Sequence, residues 1–352
     1  MRMHKSAALS AALAGTLLLA ACGGGGSGEA TSDATGAAEE TSAATGGDIS
    51  GEDPIVLTLG HAGSETDPRQ AGALRFKELV EESSDGQITV EVFPSATLGT
   101  WEEMIEGMQL GSTDVVIEAI SSLESYSDLA AIETAPFVYE TDDQFFAVWD
   151  GELGDEINKA ITADSGYAMM GKMYRSSREL TTKEPVTQLS DLQGMTIRTP
   201  SAQTMMATWE ALGARAEALP FNEVYSALEA GVLDGQENPL DTIIFNSIHE
   251  VAPYIALTHH MYANYYFLMW DEYLQGLPAS YQEIIREAAD TVGQEYTATT
   301  LASMEQYRAD LESDGAVFTE LTDREAWVDA TQPIRDSLPE QVREWISEIK
   351  GM

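Results

Sequence analysis

Past residue 53, short apolar runs alternate along the chain with stretches of helical spacing. Ile55–Leu59 is a short apolar run, and Ala73, Phe76, Leu79 and Val80 mark one face of a helix. Ile88, Val90 and Val92 alternate with polar residues, as in a half-buried strand. A helix around Trp101–Leu110 and a strand at Asp114–Ile120 come next. A second set opens near Tyr167, with a strand to Tyr174, a strand reaching Arg198 and a helix from Ser201. Ala202, Met205, Met206 and Trp209 share one face of that helix, the usual mark of core packing. Phe221, Val224, Tyr225 and Leu228 repeat the spacing, and Gly231 suits a helix stop. Strand and helix in alternation predict an α/β fold.

From Ser280, which with Glu283 has the form of a capping box, to about Leu311 there is no proline and one glycine. A continuous helix there would be ~45 Å long, more than one lobe of this size spans, so it would brace two. Val342, Trp345, Ile346 and Ile349 mark a last helix. The chain from about Pro54 to Met352 is long enough for two lobes.

The start of the chain reads differently. Arg2 and Lys5 precede an apolar stretch, Ala7–Ala21, which ends in Leu19-Ala20-Ala21-Cys22. This has the form of a bacterial lipoprotein signal, removed ahead of a cysteine that carries lipid. Cys22 is the one cysteine of the sequence, so no internal disulfide can form. Residues 23–53 are Gly, Ala, Ser, Thr, Asp and Glu with Ile49 as the one large apolar side chain, the composition of a flexible tether with a reach of ~30 Å. The reading places the mature protein outside the cytoplasmic membrane, held to its outer face or in a periplasm.

With 18 Lys and Arg against 59 Asp and Glu, the formal charge is −41. Such a field repels nucleic acid and anionic lipid alike. It also sets off any cation that the fold keeps. Arg198 ends the strand of Gly194-Met-Thr-Ile-Arg198-Thr-Pro200, directly before a helix start. Ligands of open α/β sheets bind at that edge, where helix amides and a guanidinium fork both suit an anion. Arg178 follows another strand of the same lobe, and Asn238 sits in a turn before Pro239. Each arginine could instead pair with an internal carboxylate, and Asn238 could serve its turn alone. The pattern does not choose.

Sites for covalent or metal chemistry are not legible. There is no Gly-x-Ser-x-Gly elbow, phosphate-cradling loop or His-Glu-x-x-His helix; after His249-Glu250, Pro253 stands where a second histidine would. His259 and His260 are neighbours and would face opposite ways on a strand. No enzyme activity, cofactor or metal is expected.

Phe93-Pro94 with Leu98-Gly99, Ala135-Pro136-Phe137, Arg178-Glu-Leu-Thr, Leu192-Gln-Gly-Met-Thr-Ile-Arg198 and Glu223-Val-Tyr-Ser-Ala-Leu228 through Asp234-Gly-Gln-Glu-Asn-Pro239 follow one another in order. From Leu57 onward the chain resembles solute-binding proteins of tripartite ATP-independent periplasmic (TRAP) transporters, of the C4-dicarboxylate-binding (DctP) type. The resemblance implies a two-lobed periplasmic-binding-protein fold with crossing strands and a long helix over both lobes. Its division would be signal 1–21, lipidated cysteine and linker 22–53, one lobe from 54–175 with 264–303, the other from 176–263 with 304–352. It further implies that Arg198 clamps a ligand carboxylate, that Arg178 and Asn238 add hydrogen bonds, and that His61, Glu118, Phe221 and Asn264 line the rest of the pocket. Ala214-Arg-Ala-Glu-Ala-Leu-Pro220 departs from the family's Pro-Thr-Pro run before Phe221.

The expected function is capture of a small organic acid by an arginine clamp and cleft closure, then delivery to the small and large permease subunits of the membrane. C4-dicarboxylates, sugar acids, keto acids and ectoine-like zwitterions all suit the same platform. A sensor subunit that binds the same anion for a membrane receptor, and a lipid-anchored enzyme on acidic metabolites, are the alternatives.

Overall fold

The computed structural model describes residues 51–352. The leader, Cys22 and nearly all of the linker lie outside that range. Nine strands form one sheet: β1 (Ile55–Gly60), β2 (Ile88–Phe93), β3 (Val115–Ala119), β4 (Tyr167–Thr182), β5 (Thr196–Thr199), β6 (Arg215–Ala218), β7 (Gly235–Asn238), β8 (Tyr254–Trp270) and β9 (Val317–Glu320). Their order is β2-β1-β3-β8-β4-β7-β5-β6, with β9 beside β8. β1 pairs in parallel with β2 and β3 on one side, and β5 pairs in parallel with β6 and β7 on the other. Between these α/β halves run β4 and β8, antiparallel and 16 and 17 residues long.

These two strands carry the chain through both halves. Nearly all of β4 and most of β8 are buried. β8 reads as a long, largely apolar and aromatic run rather than as an alternation, whereas β4 is mostly apolar to Tyr174 and polar beyond it, with Arg175, Arg178 and Glu179 buried there. The β4–β8 register slips between Met170 and Met173, between Tyr174 and Ser177, and between Arg178 and Leu180. Each slip coincides with a residue in the left-handed region: Gly171 (φ 65°), Ser176 (φ 66°) and His259 (φ 42°). One long strand therefore replaces the expected strand ending at Tyr174, and Arg178 lies inside it. Asn238, expected in a turn, ends β7 opposite Glu179 of β4. The extended backbone that Pro239 imposes on its predecessor suits a strand end as well as a turn.

Helices cover both faces of each half. Around β1, β2 and β3, one core joins Phe76 and Val80 to Leu57, Val90, Ile117 and Phe267. In the other half, Trp209, Leu212 and Trp327 pack on Leu180 and Ile197. A 35-residue helix, Ala279–Ser313, spans the two. Tyr281, Ile284, Ile285, Ala288, Ala289 and Val292 belong to the first core, whereas Leu311 packs with Leu233, Ile243 and Ile255. This helix enters through Pro278 with no side-chain cap, so Ser280 sits inside its first turn and forms no capping box. The last helix, Glu340–Ile349, departs from the expected division of the chain. Val342, Trp345, Ile346 and Ile349 join the core of Met104, Phe145, Trp149 and Tyr167, so the chain returns to the first half instead of finishing in the second.

Where the long helix crosses β4, backbone meets backbone. A Cβ on Gly171 would lie 2.1 Å from the Ala289 carbonyl oxygen, and one on Gly293 would lie 2.7 Å from that of Lys172. Gly194 also has positive φ, 84°, but nothing lies within 4 Å of its missing Cβ. Gly194→Ala should therefore cost about 1 kcal/mol from backbone strain alone. Gly171→Ala adds a clash that neither backbone can relieve and should cost at least about twice that. Urea unfolding of the two variants measures the gap; equal losses would show that the crossing is not tight.

Candidate functional site

Between the halves lies a cleft lined by Arg69, Trp101, Glu118, Ser121, Ser122, Arg175, Arg178, Arg198, Asn238, Thr242, Tyr265 and Phe221, among others. Its volume is about 590 Å³, counting the open mouth. Four of the chain's few cations thus converge on one crevice. Their partners divide them into two kinds.

Arg69, in the first turn of helix Pro68–Ser83, is committed. Its Nε and Nη2 donate to the two carboxylate oxygens of Asp67, each at 2.9 Å, and its Nη1 lies 3.4 Å from Glu118 Oε1. Arg178 is committed as well. Its Nε donates to Glu237 Oε2, and its Nη2 donates at 2.6 Å to Glu237 Oε1 and at 2.7 Å to the Glu237 carbonyl. Burial would raise the Glu237 carboxyl, but the charge and hydrogen bonds of Arg178 outweigh it and hold the group down at about 2. His260 Nε2 adds a contact at 3.2 Å. The internal-carboxylate alternative thus describes two faces of the Arg178 fork, while Nη1 carries no partner among the described residues.

Arg198 and Arg175 have no carboxylate within ion-pair distance among the described residues. Arg198 ends β5 one residue short of its last position, buried, with Nε donating to the Leu219 carbonyl at 2.8 Å. Its Cζ lies 5.7 Å from the centre of the Phe221 ring. Burial lowers the guanidinium to about 10, opposed by the charge of Glu237 and assisted by that of Arg178. A cation held under such a penalty gains from an anion that enters beside it.

Asn238 Nδ2 donates to Gln236 Oε1 at 2.6 Å, which turns its Oδ1 toward Arg175. Glu118 presents its carboxylate to the cleft, raised by burial against the pull of Arg69 and Arg175. The helix amides, by contrast, are taken. Ala202 does not cap helix Gln203–Ala211; the Thr204 amide donates across the cleft to Glu124 Oε2 at 3.2 Å. Ser201 Oγ likewise donates to Glu102 Oε1 at 2.7 Å. The expected anion seat at that helix start already holds a carboxylate of the protein.

Two expected lining residues lie elsewhere, each beside one that does line the cleft. His61 is buried with Nε2 2.8 Å from Gln70 Oε1, and burial with the charge of Arg69 lowers it to about 4; Ala62 faces the cleft. Asn264 turns to Tyr266, Oη at 3.4 Å, and Tyr265 faces the cleft. On β8 successive residues point to opposite sides, so the one-position offset from Asn264 to Tyr265 reverses the environment, whereas His61 and Ala62 lie in the loop past the end of β1. His259 and His260 pair with different carboxylates, Glu179 and Glu237. Arg69, Arg175 and Tyr265 line the cleft without having been singled out from the sequence.

Residues 59–341 match the family model of bacterial extracellular solute-binding proteins, family 7. A solute-binding protein of Roseobacter denitrificans is 32% identical over 289 residues, 82% of this chain and 89% of the relative. A TRAP periplasmic solute-binding protein of that organism, solved with bound L-galactonate, superposes with a TM-score of 0.79 at 31% identity, covering 85% of this chain and 99% of that one. A TRAP protein of Pseudomonas putida F1 with bound D-glucuronate gives 0.80 at 26%, covering 85% and 97%. One from Sulfurospirillum deleyianum with bound succinate gives 0.78 at 25%, covering 85% and 99%.

The two kinds of arginine should separate in the ligand-free protein. Arg178→Leu strands the buried Glu237 carboxylate and should cost about 3–5 kcal/mol. Arg198→Leu removes a buried charge that nothing neutralises and loses one carbonyl bond, so it should cost at most about 1 kcal/mol. Urea unfolding near neutral pH checks this, and comparable losses would overturn the division.

Proposed function

Because the chain belongs to bacterial extracellular solute-binding protein family 7, whose solved relatives are TRAP solute-binding proteins, we propose that it captures a sugar acid in the cleft around Arg198 and presents it to a TRAP permease pair in the membrane. It is a binding protein, not an enzyme, and it works outside the cytoplasm. The observation that carries the reading is Arg198: a buried guanidinium lining the cleft, with no carboxylate within ion-pair distance among the described residues, in a chain of charge −41.

The acid group docks on the free Nη atoms of Arg198, two donors in one plane. Asn238 and Arg178 Nη1 supply further bonds, and Phe221 packs beside the fork. Once the halves close, water leaves and the charge-assisted bonds strengthen. Ser121, Ser122, Thr242 and Glu118 offer partners to hydroxyl groups, which suits a sugar acid and agrees with the galactonate and glucuronate of the relatives. A C4-dicarboxylate is the second reading. More than one guanidinium faces the cleft, and the Sulfurospirillum relative holds succinate.

The lobes take the division given above, except that the last helix goes with the first. Residues 1–21 are a lipoprotein signal, Cys22 carries the lipid, and 22–53 tether the binding unit to the outer face of the membrane. No helix among the described residues is long and apolar enough to cross a bilayer. Cys22→Ser should release the protein from the membrane fraction of expressing cells; retention of the variant would defeat the anchor.

Calorimetry with galactonate, glucuronate and succinate tests the cleft. Wild-type protein should bind one of the sugar acids more tightly than succinate. Arg198→Ala should lose at least ~2 kcal/mol, roughly thirtyfold. Arg198→Lys should recover little of it, because an ammonium cannot reproduce the fork. Unchanged affinity in both variants would defeat the proposal.

A further inference from the structure

A strand shows residues i and i+3 to opposite faces, yet Arg175 and Arg178 of β4 both line the cleft. The slip between Tyr174 and Ser177, with Ser176 at φ 66°, makes this possible: one extra residue on β4 resets the alternation. Non-glycine residues adopt that backbone at a cost. Here the bulge brings a second guanidinium to the face that already holds Arg178.

The environment of Arg175 is not that of a structural ion pair. Its Cζ lies 3.8 Å over the centre of the Tyr265 ring, which keeps the guanidinium flat from one side. The side chain is 5% exposed. Nε is buried with no partner, and Nη2 has one long contact, 3.5 Å to Asn238 Oδ1. Glu118, Glu133 and Asp241 act on it through space, but none comes within ion-pair distance. Glu133 instead accepts the Ser121 and Asn264 amides, and Asp241 accepts that of Thr242. A guanidinium has five N–H groups, so most of this one's capacity is unspent among the described residues.

We infer that Arg175 contacts the ligand directly, as a second receptor for its anionic oxygen, and that the Ser176 bulge exists to aim it. This rests on the organic-acid reading of the cleft. Arg178, tied to Glu237 through Nε and Nη2, is then the fixed wall against which Arg175 and Arg198 are set, with Nη1 alone left for the ligand.

The test compares wild type, Arg175→Gln and Arg175→Lys, each examined for melting temperature without ligand and for affinity by calorimetry. Galactonate is the first probe, and succinate replaces it if wild type binds succinate alone. For a ligand contact, Arg175→Gln should melt no lower than wild type and bind the acid at least tenfold more weakly, with Arg175→Lys in between. A structural residue would give the reverse: a lower melting temperature and an affinity within twofold of wild type, which overturns the inference. Wild type that binds succinate but neither sugar acid would sink the substrate class and leave Arg175 tested on succinate. Wild type that binds no organic acid removes both.

Discussion

β4 and β8 supply hydrogen bonds to both halves of the sheet, so their mutual register decides which side chains face the cleft. A strand ladder tolerates no gradual adjustment, because a slip of one residue turns every following side chain over. Three slips occur within twelve positions of β4, and each is held by a residue with positive φ. Arg175 and Arg178 owe their shared face to one of them. Close packing of the long helix at Gly171 and Gly293 holds the same stretch from behind. Cleft and scaffold are therefore one structure, and a change that relaxes the crossing strands would scatter the arginines.

Electrostatics then divides the labour. A buried cation is tolerated when a carboxylate answers it, and Asp67 and Glu237 answer Arg69 and Arg178 at hydrogen-bond distance. Such pairs add little net stability but fix geometry, since breaking either one strands a charge. Arg198 and Arg175 have no such answer among the described residues, in a chain that carries 59 acidic residues. In a protein this acidic, cations left unpaired beside a cleft are a selective feature of the fold. An anion that entered the cleft would supply the partner that the interior withholds.

How much of this could be read from the chain depends on the range of the contact. Arg198 at a strand end before a helix, the helix stop at Gly231 (φ 76°) and the long helix over two cores are local patterns, and periodicity finds them. β8 escaped the residue pattern because burial on both faces erases alternation; the resemblance supplied it only as a crossing strand. The Arg178–Glu237 pair joins residues 59 apart across β4 and β7, and no spacing rule reaches that far. Arg175 was hidden because the apolar run stops at Tyr174, and nothing in the spacing marks the strand as continuing through a bulge at Ser176. Asn264 lies one position from Tyr265 on β8, so strand alternation turns it away from the cleft; His61 lies in the loop after β1, beyond the reach of any strand rule.

The start of helix Gln203–Ala211 shows how closure and recognition are joined. Its amides meet Glu124 of the opposite half, and Ser201 meets Glu102. Both contacts exist only when the halves are together, because donors and acceptors sit on different halves. They fill the helix start with carboxylates of the protein, which removes it as an anion seat, whereas the Nη atoms of Arg198, three residues upstream of Ser201, have no partner among the described residues. The same strand-to-helix junction thus presents one group to the cleft and the next to the opposing half. On the proposed reading, a carboxylate docked on Arg198 would answer that buried cation, and an uncharged analogue would leave it unanswered.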